Sequence, residues 1–172
     1  MEKKNTHIIY GFVTGVVMVI INMIIYLLGA AFKPGMQYIS YIPFLTGIIL
    51  CAMAFSKAND GYVTFGNVFG SCLKASMIIT IVLLTWSILS MYIFPEMKEK
   101  AMSVAREKMA ENPKMTDEQM DMGMNMMKKY WNVFLIGGVV FGTMIVGALF
   151  SVIGGAVAQK KGENPFKPGT PM

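Results

Sequence analysis

The chain has 172 residues, of which 55% are hydrophobic and 15% are charged, and its mean hydropathy is positive. This composition lies outside the usual range of a soluble globular domain. The formal net charge is +5, but the basic residues flank apolar runs, so the charge indicates contact with a membrane surface and argues against a nucleic-acid-binding protein.

Four uncharged apolar runs predict an all-α integral membrane protein. Each run is close to the ~20 residues that a helix needs to cross a hydrocarbon core of about 30 Å. Backbone groups in lipid must be paired within their own segment, so runs of this length are expected to be helices. The predicted spans form a bundle of four transmembrane helices in a single membrane domain, at 8–32, 38–55, 75–94 and 133–158.

The first run is expected to be retained as a signal anchor. Its apolar stretch is longer than the 7 to 15 residues of a cleaved signal peptide. Four crossings place both termini on one side of the bilayer. The chain is therefore predicted to be a multi-pass protein of the bacterial inner (cytoplasmic) membrane, with residues 160–172 as a disordered tail.

The orientation rests on charge. Lysine and arginine are nearly tied between the two sides, so the positive-inside rule alone does not decide. Segment 95–130 balances seven basic residues with seven acidic ones, whereas the opposite side is net basic. This difference favours cytoplasmic termini and places segment 95–130 outside.

Segment 95–130 predicts an extramembrane helical hairpin between helices three and four. Residues 96–111 are rich in good helix formers. Thr116 and Gln119 have the spacing of a capping box, which predicts a second helix over 117–129.

Methionines are dense in this second helix and are the one group with metal-binding chemistry, because thioethers are soft ligands suited to Cu(I). Met120, Met124 and Met127 share one helical face, whereas Met122 and Met126 point elsewhere. The run therefore does not converge on a single site, and methionine is also a flexible filler of apolar surfaces. No cofactor is expected.

Small residues four positions apart predict close helix packing in lipid. They are expected to pack within the bundle, with a homodimer contact as the competing interpretation. The predicted packing residues are Gly11, Gly15, Gly138, Gly142, Gly147, Ser151 and Gly155.

Residues 56–74 predict an interfacial segment between spans two and three. Tyr62, Phe65 and Phe69 recur at spacings of three and four, so a helix here would carry one aromatic stripe suited to the membrane surface. A turn that seats helix three is the simpler interpretation, and a gate or docking surface is the alternative.

The chain is not expected to be an enzyme. Its single histidine, His7, lies at the edge of the first span, and Cys51 and Cys72 have no neighbouring base, so they are interpreted as small apolar residues. The span interiors carry no ionisable group, which weakens a coupled transporter. Neutral polar side chains are present there: Asn22, Thr46, Thr80, Thr85, Ser87 and Ser90.

Three stretches of the sequence carry a resemblance to a known family: EKKNTHIIYGFVTG, DGYVTFGNVFGSCLKA and MTDEQMDMGMNMMKKY. The chain resembles a bacterial membrane family known as domain of unknown function 4199. That resemblance implies a four-helix inner-membrane protein and supplies no activity, ligand or catalytic residue. The methionine density of the hairpin departs from the family pattern.

Two functions of different classes follow from these patterns. The first is a non-enzymatic interaction or assembly factor, bound to the lipid bilayer and to another membrane protein or a second copy of itself. In this hypothesis, a partner contacts Met102, Met109, Met120, Met124 and Met127. The alternative is a small oligomeric transporter or channel, whose path is lined by Asn22 and Thr85 among the polar residues of spans one and three. A Cu(I)-binding membrane protein is the weakest variant.

Overall fold

A computed structural model describes residues 5–33, 35–111, 113 and 115–158. Within these ranges the chain forms six α-helices and a short 3-10 helix, Met36–Ser40, with no β-strand. The predicted tail, 160–172, lies outside the described residues. The helices are α1 (Thr6–Leu27), α2 (Tyr41–Ala58), α3 (Phe65–Ile93), α4 (Glu96–Ala110), α5 (Asp117–Lys129) and α6 (Trp131–Ala158).

Four of the described helical segments are long and apolar enough to cross a membrane. They are Thr6–Leu27, Tyr38–Ala58, Phe65–Ile93 and Trp131–Ala158, and the shortest has 21 residues. At 1.5 Å per residue, 21 residues span about 30 Å, which matches a bilayer core. The prediction of an all-α chain with four long apolar helices is confirmed.

Helix α1, which corresponds to the first predicted span, ends at Leu27, five residues before the predicted end at residue 32. Gly29 adopts a left-handed backbone with φ of 67°. The Gly29 N–H donates to the Tyr26 carbonyl at 2.9 Å, and the Ala30 N–H donates to the Ile25 carbonyl at 3.0 Å. These two bonds form a Schellman motif, which ends a helix although the following residues are still apolar.

The third span begins ten residues before the predicted residue 75. Thr64 has an extended backbone, and its hydroxyl accepts a hydrogen bond from the Asn67 N–H at 3.3 Å, which caps α3. Most of the segment predicted to be interfacial therefore belongs to α3 itself. The turn before it runs through Asp60 and Gly61, both with positive φ.

The four long helices form a bundle in which α1 and α6 occupy opposite corners, each between α2 and α3. Close contacts pair Gly11 with Ala75 and Gly15 with Val82, so α1 and α3 run parallel. In contrast, α6 runs antiparallel to α3, since Thr143 meets Thr80 while Gly155 meets Phe65. One end of the bundle therefore collects the end of α1, the end of α3 and the start of α6.

The core lies where α2 and α3 face each other across the bundle. Phe44, Ile48, Val68 and Ile79 are the largest fully buried side chains of the described core. Their burial fills the centre between the helices with hydrocarbon.

Helices α4 and α5 lie outside the four apolar segments and contact each other. Arg106 on α4 forms an ion pair with Asp121 on α5 at 3.4 Å. The capping box at the start of α5 is present, because the Gln119 N–H donates to the Thr116 hydroxyl at 3.3 Å and the Thr116 N–H donates to the Gln119 side chain at 3.1 Å. The start of α5 is thus set by local sequence.

Candidate functional site

Two glycines of α1 lie directly against α3. A Cβ atom added at Gly11 would lie 2.8 Å from the Ala75 carbonyl oxygen, and one added at Gly15 would lie 2.8 Å from Val82 Cβ. Real Cβ atoms do not approach neighbours this closely. The absence of a side chain at both positions therefore lets the α1 and α3 backbones approach.

The second half of α6 packs into the bundle through small residues. A Cβ at Gly147 would lie 2.6 Å from Ser76 Cβ, and one at Gly155 would lie 2.8 Å from the Phe65 ring. Ser151, between them, is fully buried and donates its hydroxyl proton to the Gly147 carbonyl at 2.6 Å. These three residues belong to the contact face of α6.

The structure differs from the prediction at Gly138 and Gly142, which have no atom of another helix within 4 Å of an added Cβ and are exposed. The reason is helical geometry. At about 100° per residue, Gly142 and Gly147 point about 140° apart, so one contact face cannot hold both glycine series. The competing homodimer interpretation for Gly138 and Gly142 stays a prediction.

Both cysteines lie in the core. Cys51 and Cys72 are fully buried and neither is in a disulfide. The Cys72 thiol lies 3.7 Å from the Ile48 carbonyl oxygen, to which it donates a weak hydrogen bond. Both thiols belong to the packed interior of α2 and α3.

Polar side chains within the spans mostly bond to their own helix. The Thr80 and Thr143 hydroxyl oxygens are 2.9 Å apart, and each also contacts a carbonyl of its own helix. Each hydroxyl has one proton, so one threonine donates to the other while the second donates to its own backbone. This pair links α3 to α6.

The neutral polar residues proposed for a transport path do not line a common interior. Thr85 is exposed on the outer surface and donates to the Ile81 carbonyl of its own helix at 2.8 Å. Asn22 donates to the Met18 carbonyl at 2.8 Å and accepts from the Ser40 hydroxyl at 3.2 Å. Asn22 and Thr85 therefore do not line one common transport path.

A polar contact attaches α4 to the end of α1. The Tyr26 hydroxyl donates to a Glu96 carboxylate oxygen at 2.7 Å, and the Tyr26 ring lies 4.8 Å from the Phe94 ring, centroid to centroid. The Lys100 ammonium lies 5.6 Å from the same tyrosine ring. Together these contacts form the Tyr26–Glu96 latch between a long apolar helix and the α4–α5 segment.

The latch is expected to open in acid. The hydrogen bond from Tyr26 is the largest cause that lowers the pKa of Glu96 below its ordinary 4.5, with smaller contributions from its own backbone and from Lys100. A carboxyl with a lowered pKa stabilises the folded state above the ordinary value and loses that contribution as pH falls through the lowered value. Nitroxide labels at Leu28→Cys and Ser103→Cys should therefore give a narrow distance distribution at pH 7 that broadens below about pH 4.5.

Tyr26→Phe is the control for this prediction, because it removes the hydroxyl donor and keeps the ring. Its distance distribution should change little between pH 7 and pH 3.5. If the unmodified protein also showed no change, the carboxylate would not hold α4 in place.

The methionines assigned to a partner contact turn partly inward. Met102 on α4 and Met124 on α5 are buried within the chain. The Met109 methyl group lies 3.5 Å from the Cβ position of Gly123, so it packs against α5, while Met120 and Met127 are half-buried. The prediction that a partner contacts all five is therefore wrong for Met102 and Met124, because packing between the chain's own helices covers them.

Another face of α5 is exposed, and it was not predicted from the sequence. Met122 is 63% exposed and Met126 is 52% exposed. Met122, Met126 and Tyr130 are four residues apart, which places them on one side of a helix. This spacing is visible in the sequence, but the neighbouring methionines made it difficult to distinguish. Met122, Met126 and Tyr130 line a shallow surface depression with Glu118, Asp121, Asn125 and Lys129. We call this surface the outer α5 face.

The predicted aromatic stripe is divided between two elements. Tyr62 lies exposed in the turn before α3, whereas Phe65 and Phe69 lie in the first turns of α3 with nearly parallel rings 6.0 Å apart. Phe65 also packs against Gly155 of α6. Phe65 thus takes part in the α3–α6 contact.

Among the described residues, no group of three or more His, Cys, Asp or Glu side chains could hold a metal ion. The Cu(I) hypothesis depends on methionine sulfur at Met120, Met124 and Met127 and stays a prediction.

Comparison with protein families gives a match over residues 9–160, which includes all of α2 to α6 and nearly all of α1. The matching family is described as protein of unknown function (DUF4199). The chain belongs to the DUF4199 family. The resemblance noted in the sequence is thereby confirmed. No curated protein and no solved structure matched the chain.

The match to DUF4199 covers the α4–α5 segment as well as the four apolar helices. The segment is therefore part of the family domain. The family description names no ligand or reaction.

Proposed function

We propose that this DUF4199 protein is a non-enzymatic interaction or assembly factor of the bacterial inner membrane, and that the α4–α5 hairpin binds a partner protein through the outer α5 face. The observation that carries this proposal is the exposure of Met122 and Met126 on a helix outside the four apolar segments. Flexible thioether side chains adapt well to a partner's apolar surface.

The outward surface of the long helices supports a membrane location. Ile81 on α3, Phe141 on α6 and Leu149 on α6 are exposed large hydrophobic side chains, and many others share this outer surface. Exposed apolar area of this extent is unfavourable in water and is covered when the helices lie in lipid. Both termini are proposed to be cytoplasmic, with α4 and α5 on the outer side.

The contacts that hold α4 support the proposal that the hairpin offers a fixed surface to a partner protein. The Tyr26–Glu96 latch and the Arg106–Asp121 ion pair link α1 to α4 and α4 to α5. A helix held by such contacts offers a partner a surface that is already ordered, which lowers the entropic cost of binding. The packed methionines Met102 and Met124 contribute to that support and are not themselves the contact.

Site-specific photocrosslinking in intact cells tests the proposal. A photoreactive phenylalanine analogue at Met126 should give one protein adduct of defined mass. Asp121→Lys, which reverses a charge that lines the outer α5 face, should reduce that adduct several-fold. The matched control places the same analogue at Lys108, an exposed α4 residue away from the outer α5 face.

Comparison of the adducts at Met126 and Lys108 distinguishes specific binding from chance collision. Equal adducts at Met126 and Lys108, or a diffuse ladder at Met126 that Asp121→Lys leaves unchanged, would contradict a partner site on α5.

A further inference from the structure

We infer that the outer α5 face binds the same face of a second copy of this chain, with the two α5 helices antiparallel. The inference rests on the proposed function, because it names the partner that the outer α5 face binds. The observation that carries it is the order of side chains along the face, which is acidic at one end, apolar in the middle and basic at the other end.

The two ends of the outer α5 face carry opposite charge. Glu118 lies in the first turn of α5 and Lys129 in the last turn, and both line the same depression. The intervening helix rises by about 16 Å, which is too far for these two side chains to form an ion pair within one copy. The Lys129 ammonium lies 5.3 Å from the centre of the Tyr130 ring, at the basic end of the face.

The charges at both ends are accessible to another molecule. Glu118 and Lys129 are exposed. Within the described ranges the one ion pair joins Arg106 to Asp121, so the charge of Asp121 is partly neutralised by its own chain. Glu118 and Lys129 are therefore the two charges of the face that an external partner can best complement.

The middle of the face is apolar and points away from the rest of the hairpin. Met122 is 63% exposed and Met126 is 52% exposed. Met109 of α4 lies 3.5 Å from the Cβ position of Gly123, so α4 packs against another side of α5. Flexible thioether side chains can adapt to a second set of methionines as well as to any other apolar surface.

Antiparallel pairing makes this face complementary to itself. A second copy turned end for end places its Lys129 opposite Glu118 and its Glu118 opposite Lys129, while the methionines of the two copies meet in the middle. Reciprocal contacts of this kind are those of a two-fold dimer. A parallel pair would instead place Glu118 against Glu118 and Lys129 against Lys129, and like charges in contact repel.

The junction between α5 and α6 is compatible with this arrangement. Two copies in one bilayer are related by an axis along the bilayer normal, so a pair of antiparallel α5 helices has to lie across that axis. Tyr130 separates α5 from α6 with φ of −111° and ψ of 26°, which is not a helical conformation. Helix α5 therefore need not continue in the direction of α6.

Energy transfer between labelled copies tests the inference. Full-length protein with Ser103→Cys, an exposed position on α4, is labelled with a donor or an acceptor dye and reconstituted into phosphatidylcholine vesicles. Transfer measured at increasing lipid-to-protein ratios gives an apparent Kd. The unsubstituted face should give transfer that persists on dilution with lipid.

Charge reversal identifies the antiparallel contact. Glu118→Lys and Lys129→Glu should each raise the apparent Kd about tenfold, because either change places two like-charged pairs in the dimer. Both substitutions in one chain should restore the original Kd, because opposite charges again face each other. In a parallel dimer either single change would replace one like-charged pair by another and leave the Kd nearly unchanged.

Asp117→Lys and Lys128→Glu are the matched controls. They make the same charge changes in the same turns of α5, but neither residue lines the outer α5 face. Each control should change the apparent Kd by less than about twofold.

The inference and the proposed function fail in different ways. Absence of transfer in the unsubstituted protein, single variants no weaker than their controls, or a double variant as weak as the single ones would each overturn the antiparallel pairing. A photoadduct at Met126 with the mass of two copies would support it. An adduct of any other defined mass would contradict this inference and still support a partner protein on the outer α5 face.

Discussion

Replacing Phe44 by alanine is expected to cause the largest single loss of stability in this bundle. Phe44 is 1% exposed, its ring lies 5.4 Å from the Phe150 ring, and it contacts Gly147 of α6. Phenylalanine-to-alanine changes in cores cost about 3–5 kcal/mol. We expect the lower end, about 3 kcal/mol, because unfolded helices that stay in lipid keep an apolar environment and mainly the packing contribution is lost.

Reversible unfolding in mixed detergent micelles measures this loss of unfolding free energy. Phe141→Ala on α6 is the matched control, because Phe141 is 71% exposed on the outer surface and its removal leaves no internal cavity. Its expected effect is within about 0.5 kcal/mol. Similar losses in the two variants would contradict the assignment of Phe44 to the core and Phe141 to the outer surface.

The second large effect is expected at Gly147, where addition of one methyl group should destabilise the α3–α6 contact. The new Cβ would lie 2.6 Å from Ser76 Cβ and 3.2 Å from the Phe44 ring. Helices must separate or shift to accept it, and overpacking of this kind costs about 1–3 kcal/mol. Gly147→Ala should therefore unfold at lower denaturant concentration in the same assay.

Gly142→Ala is the control on the same helix. An added Cβ there meets no atom within 4 Å, so the change should be neutral or slightly stabilising, as alanine is the better helix former. If Gly142→Ala were the more damaging of the two, the face of α6 that enters the bundle would be wrongly assigned.

The four apolar helices were predictable because hydropathy reports the length of chain that lipid would surround. Hydropathy does not report where a helix begins or ends. Gly66, Asn67, Gly70 and Lys74 lower the hydropathy before residue 75, yet α3 already starts at Phe65 because Thr64 caps it. At the end of α1 the opposite occurs, since Gly29 ends the helix within a stretch that remains apolar.

The start of α5 was predictable because its signal is local. The capping box of Thr116 and Gln119 needs only two side chains and the backbone between them. Whether a glycine or methionine faces another helix of the chain depends on tertiary packing, which the neighbouring sequence does not report. Gly138 and Gly147 both lie among apolar residues, and it is the packing of α6 against Ser76 on α3 and Phe44 on α2 that puts Gly147 in contact.

Methionine density gave a misleading indication for the same reason. On α5, Met124 is buried while Met122 and Met126 are exposed, and the difference depends on which face α4 covers. Burial at a face follows from tertiary packing, which overrides composition.

We propose that the four long helices cross the inner membrane and place α4 and α5 outside. Single cysteines at Lys108 on α4 and at Lys57 near the end of α2 test it most directly, with a membrane-impermeant maleimide applied to intact cells. Both positions are exposed, and the native Cys51 and Cys72 are buried, so the parent protein serves as the background control.

We expect labelling at Lys108→Cys in intact cells, and labelling at Lys57→Cys only after lysis. Labelling at Lys57→Cys alone would place α4 and α5 in the cytoplasm and contradict the proposed orientation. Equal labelling at both positions in intact cells would contradict the four crossings.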